Sequence, residues 1–212
     1  LFLLKEKRTT PVIRERGGFF SFFSYWKIAG IDYRRLVAGL LIFALFNSSD
    51  VFLLLRTREL TGSDQITILA YVFYNLVFAV ASYPLGILAD KWGTRKVFIF
   101  GLMFFVLVYA GFAFVNKPWM VFGLFFFYGL YAAATEGIAK AWITNLAHET
   151  RTATAVGFFT SCQSICTLLA SIVAGLLWAG FGPVVVFSLS AAITLALVLY
   201  FVLYVRNEVY QT

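Results

Sequence analysis

A chain of 212 residues that is 61% hydrophobic and only 13% charged cannot hide its apolar surface in a water-soluble fold. Its mean hydropathy of +0.87 suits a bilayer, where lipid itself is the apolar solvent. The net charge of +7 does not signal nucleic-acid binding, because the basic residues form no single patch but fall in the gaps between apolar runs, eight of the 17 before Val37.

The chain opens Leu1-Phe2-Leu3-Leu4, followed by Lys5, Lys7 and Arg8. This reads as the last turn of an earlier membrane helix, so residues upstream are expected, and no signal-peptide pattern follows. Residues 1–35 are then a helix end plus a basic linker. The stretch Phe19 to Trp26 is expected to lie along the membrane interface as an anchor.

Six apolar runs follow, at 36–56, 66–88, 97–115, 119–142, 153–179 and 183–205. Each reaches the roughly 20 residues that cross about 30 Å of hydrocarbon. They are continuously apolar, which excludes the alternating strands of a β-barrel. The expected fold is therefore all-α, a six-helix transmembrane bundle over 36–206 with a tail at 207–212. With six spans, one side of the membrane carries 14 Lys and Arg and the other 3. The positive-inside rule puts both termini in the cytoplasm. All five tryptophans (Trp26, Trp92, Trp119, Trp142 and Trp178) fall at expected interfaces.

Ionisable groups inside spans are costly, about 2.5–3.5 kcal/mol at mid-bilayer, so they are informative. Two acids qualify, Asp50 in the first span and Glu136 in the fourth. The second and fifth spans carry single amides, Asn75 and Gln163, and the third and sixth carry no such group. Polarity thus repeats across two triplets. This is the trace of a three-plus-three repeat, with first and second helices facing a cavity and third helices facing lipid. Asn75 and Gln163 could equally hydrogen-bond between helices. Glu136 has Lys140 one turn on, the spacing of a local ion pair. Asp50 lies about 14 residues into its span, roughly 21 Å along a helix, with Asn47 one turn below it on the same face. An acid there must face a wet cavity, be protonated, or pair with another helix. It is a candidate for a coupling proton or a cationic group of a substrate.

Other chemistries find little support. Cys162 and Cys166 share a helix face, but buried free thiols account for them, and no metal site, disulfide framework or cofactor is expected. His148 is the single histidine, and no Gly-x-Ser-x-Gly motif occurs, so an enzyme is not expected.

The loop after the second span reads Gly86-Ile87-Leu88-Ala89-Asp90-Lys91-Trp92-Gly93-Thr94-Arg95-Lys96. It resembles the loop motif of the major facilitator superfamily, G-x-x-x-D-[RK]-x-G-[RK]-[RK]. Gly86, Asp90, Lys91, Gly93 and Arg95 match, and Thr94 departs from the usual basic residue. Thr135-Glu136-Gly137, Arg151 and Phe181-Gly182-Pro183 look like a bacterial branch of that family.

The resemblance covers roughly residues 30–205 and implies half of a twelve-helix fold. The basic linker resembles the family's central loop and the tail is short, so the C-terminal half is expected, with the N-terminal six-helix half as its missing partner. The implied function is a secondary active transporter of a small-molecule substrate, proton-coupled through the intramembrane acids. The implied location is the plasma (inner) membrane, with the lipid bilayer as surroundings. Asp90 is implied to bridge to the opposite half. The alternative is a non-transporting membrane scaffold or channel subunit, although the loops are too short for a re-entrant filter.

Overall fold

Inside a bilayer the backbone has no water to bond with, so each continuously apolar run must satisfy its own N–H and C=O groups as a helix. The computed structural model describes residues 21–147 and 151–205. The chain ends, including the helix-end reading of Leu1 to Leu4, most of the basic linker, the tail, and His148, lie outside the described residues, as do Phe19 and Phe20 of the interface anchor. Eight helices occur in the described residues: α1 (Ser21–Ile28), α2 (Ile31–Phe46), α3 (Val51–Thr61), α4 (Asp64–Trp92), α5 (Thr94–Phe114), α6 (Met120–Leu146), α7 (Thr152–Phe181) and α8 (Pro183–Tyr204). With α2 and α3 taken as one interrupted span, six are long and apolar enough to cross a membrane, and the described residues contain no strand. The first span starts at Ile31, five residues before the boundary read from hydropathy, because Asp32, Arg34 and Arg35 continue the helix at its wet end.

The two triplets repeat in detail. The second helices have 29 and 30 residues and the third helices 21 and 22. A single glycine joins second to third helix in both, Gly93 at φ +92° and Gly182 at φ +80°. Both backbones lie where a side chain would be strained, which is why glycine occupies the corner. Packing repeats as well. The first span of each triplet packs on the second and third helices of the other: α2 on α7 and α8, α6 on α4 and α5. The third helices, α5 and α8, pack on each other. Exchanging the triplets therefore preserves the neighbour pattern. Because each triplet has three spans, the second runs in inverted orientation.

Burial within the chain does not follow the order of hydropathy. In their most apolar windows α5 and α8 are 50% and 44% buried, whereas the second helices α4 and α7 are only 17% and 11% buried. Hydropathy could not show this, since lipid tails and a helix interior are equally apolar. An apolar third helix satisfies either.

An aromatic seam fills the interior, running from Phe112 and Phe187 through Phe105 and Tyr109 and on to Phe98 and Phe201. Trp142 belongs to this seam. It is fully buried against Phe98 and Phe201, so it is not an interfacial ring as its place near a span end suggested. Trp92 and Trp119 are exposed at helix ends. Trp26 of α1 packs on Phe158, and the Tyr33 hydroxyl donates to the Ala155 carbonyl at 2.9 Å, tying α1 and the start of α2 to α7. At the opposite corner the Arg95 guanidinium donates to the carbonyls of Phe201 and Val202. A cation on the last turn of α8 also meets the negative end of that helix.

Candidate functional site

The first span breaks at Asn47-Ser48-Ser49-Asp50. These are the residue types whose short polar side chains compete with the backbone for hydrogen bonds, so four in a row disfavour an uninterrupted helix. The Asn47 N–H closes α2 on the Phe43 carbonyl at 2.8 Å, and Asn47 then turns to extended backbone at ψ 92°. Asp50 opens α3, its carbonyl accepting from the Leu54 N–H at 3.1 Å. The depth of Asp50 therefore cannot be counted along a continuous helix. Nor is Asn47 one helical turn below it, as expected from spacing. The two residues share a cavity because the chain unwinds between them.

The break is met by tyrosines from three other helices. Tyr128 of α6 donates to Asp50 Oδ1 at 2.5 Å, and Tyr74 of α4 donates to Asp50 Oδ2 at 2.7 Å. Asn47 Nδ2 donates to the Tyr131 hydroxyl at 3.1 Å. The Tyr109 hydroxyl of α5 stands 3.4 Å from Asn47 Oδ1 and 3.5 Å from the Ser48 hydroxyl. Gly129 permits this arrangement. A Cβ on it would stand 2.8 Å from the Tyr74 carbonyl oxygen and 2.7 Å from Val77 Cβ, so its absence lets α4 and α6 approach until both tyrosines reach one carboxylate. The Asp50 charge is thus held by phenols. Two ion pairs, Arg56 with Glu59 and Arg58 with Asp64, lie farther along the chain, in and after α3.

Reading the sequence for charges and amides missed the tyrosines. The signal was present, since a Tyr hydroxyl inside an apolar span must find a partner. Tyr128 and Tyr131 are three apart on α6, and Tyr74 precedes Asn75.

Three cavities adjoin these groups. One, of about 280 Å³, is lined by Asn47, Tyr131, Glu136, Lys140, Gln163 and Thr167 among others. A second, of about 490 Å³, is lined by Asn47, Ser48, Asp50, Tyr71 and Thr167. Asn47 and Thr167 belong to both walls. A third, of about 520 Å³, holds the loop-motif residues Gly86 and Asp90 with Thr94, and again Glu136 and Lys140. Four of the five candidates from the spans (Asp50, Asn47, Glu136 and Gln163) therefore border cavities that share wall residues. Asn75 does not join them. Its amide donates to the Tyr71 carbonyl of its own helix at 2.8 Å. The local ion pair expected of Glu136 and Lys140 is also not formed, since no contact within 4 Å joins them and both are exposed.

In the loop motif, Gly93 makes the corner, Lys91 is exposed, and Arg95 fastens α8. Thr94, the departure from the motif, is buried, where a long basic side chain would lose its water. No group of three or more metal-ligating side chains occurs among the described residues.

Two inverted triplets with a broken first span, polar groups at the break and cavities beside them are the build of a membrane transport protein. The sequence profile of the Major Facilitator Superfamily matches residues 35–211, and the chain belongs to that family of transporters. It is also 37% identical over 143 residues to an uncharacterized MFS-type transporter of Methanocaldococcus jannaschii. That match takes in 65% of this chain and 36% of the relative, so the chain spans little more than a third of the relative's length. The protein is an integral membrane protein, and its described residues form six helices long and apolar enough to span, as in half of the family's fold.

Proposed function

We propose that the chain forms one six-helix half of a secondary active transporter that moves a small solute and couples it to protons at Asp50. The observation that carries this reading is the Asp50 carboxylate at the break in the first span, bordering a cavity and accepting from Tyr128 and Tyr74. A carboxylate held only by neutral donors can take up a proton without breaking an ion pair, and its hydrogen-bond partners then change with its charge. Protonation is thereby linked to how α3 sits against α4 and α6. The sequence contains no nucleotide-binding motif, which supports an ion or solute gradient as the energy source. The exposed apolar faces of α4 and α7 support a second six-helix half beside them, the N-terminal one if residues 5–35 are the central loop. The 14-to-3 division of basic residues supports cytoplasmic termini in a plasma or inner membrane.

The test is Asp50→Asn in the full-length transporter reconstituted in proteoliposomes. The variant keeps the side-chain size and removes the charge. Uphill uptake driven by a proton gradient is expected to fail, while counterflow exchange of solute survives. Loss of both would instead make Asp50 a partner for a cationic group on the solute. Uphill transport at the wild-type rate would reduce Asp50 to a packing residue.

A further inference from the structure

We infer that the transported solute is a zwitterion of the α-amino-acid class, its ammonium held by Glu136 and its carboxylate by Lys140. This rests on the transporter reading above and assigns the solute site to the 280 Å³ cavity. Glu136 and Lys140 lie one turn apart on α6 and line that cavity together. At this spacing they could have paired, yet they do not meet within 4 Å. Among the described residues no ion pair engages either one. Two opposite charges are thus presented side by side to one small space.

A ligand with a single charge would satisfy one of them and leave the other without a counterpart on the ligand. A ligand carrying both charges on adjacent atoms satisfies both, and side chains one helical turn apart can bracket such a group. Asp50 does not line this cavity and borders the neighbouring one instead. The rest of the wall suits the remainder of an amino acid. Asn47 and Gln163 offer amides, while Phe43, Phe98 and Phe159 offer apolar surface. The part of this space walled by the chain itself is about 280 Å³, which accommodates a small solute. Glu136 and Lys140 also border the cavity of Gly86 and Asp90, so occupancy of the solute site reaches the loop motif through shared side chains.

The test uses the full-length transporter in detergent and reads the shift in melting temperature with each of the twenty proteinogenic amino acids. For each amino acid that binds, the amine lacking its carboxylate and the carboxylic acid lacking its ammonium are compared. Binding of one or more amino acids is expected, with both single-charge analogues weaker by about tenfold or more. In Lys140→Gln the amine should bind as well as the amino acid. In Glu136→Gln the acid should do so. That exchange of preference cannot arise from damage to the fold, and the wild-type analogue series needs no variant at all. The assignment is overturned if a single-charge analogue matches its amino acid in the wild type, if either substitution weakens all three ligands alike, or if no amino acid binds. In each of these cases counterflow with another solute would leave the transporter reading standing. Absence of counterflow for every solute tried would remove that reading itself.

Discussion

Asp50 and Tyr128 meet at 2.5 Å across the break in the first span, the carboxylate from the start of α3 and the phenol from the middle of α6. Tyr74 takes the other oxygen, so one acid ties three helices together. Side-chain hydrogen bonds in membranes average about 0.6 kcal/mol and reach about 1.7 kcal/mol, while bonds to charged groups run to about 1.5–3 kcal/mol. Tyr128→Phe should therefore lower unfolding free energy in a detergent titration by about 1–2 kcal/mol. Tyr109→Phe, whose hydroxyl stands at 3.4–3.5 Å from its neighbours, should cost less. A double-mutant cycle of Asp50→Asn with Tyr128→Phe should show coupling of about 1 kcal/mol. Additive effects, or a larger loss from Tyr109→Phe, would contradict the assigned geometry.

The α4–α6 contact at Gly129 makes a second, sharper test. An alanine there would push against backbone at Tyr74 rather than against the end of a flexible side chain. Overpacking of this kind costs about 1–3 kcal/mol. Gly129→Ala should also draw Tyr74 away from Asp50 and lower transport. Gly123 lies six residues earlier on the same helix, with nothing within 4 Å of an added Cβ. Gly123→Ala should be neutral or slightly stabilising, since alanine favours a helix by up to about 1 kcal/mol over glycine. Equal destabilisation by the two substitutions would mean that α4 and α6 do not pack at Gly129.

Orientation can be read by cysteine labelling in a background with Cys162 and Cys166 replaced by serine. Lys117, between α5 and α6, and Lys91, at the end of α4, are both exposed. A membrane-impermeant maleimide should label Lys117→Cys in intact cells and Lys91→Cys only after permeabilisation. Thr94 is unsuitable as a reporter because it is buried. The reverse pattern would place both termini outside and turn every cavity over.

Much of the fold was legible because a bilayer enforces it. A run of about 20 apolar residues has one way to satisfy its backbone, so the six spans and their order follow from hydropathy. Gly93 was recognisable from its motif, and it does take the positive φ that the corner requires. The repeat was legible in the placing of Asp50 and Glu136, each in the first span of its triplet. What hydropathy misjudged were choices between equally apolar surroundings. Trp142 lay near a span end yet went to the interior, and α5 and α8 were the most apolar spans yet are not the most exposed.

The site divides in the same way. The run Asn47-Ser48-Ser49-Asp50 marked a place of interest by composition alone, because polar groups in lipid are expensive wherever they sit. Whether those residues continue a helix or break it depends on whether other helices supply partners for the released polar groups. Here Tyr74, Tyr109, Tyr128 and Tyr131 supply them, and no spacing within one span could show that convergence. The same holds for Glu136 and Lys140, whose spacing permits an ion pair on an isolated helix. In the folded chain they line one cavity without meeting within 4 Å. Sequence alone determined which segments enter the membrane, because that depends on each segment's own transfer energy. The tertiary structure decided which polar groups meet, because that depends on helices distant in the chain reaching one point.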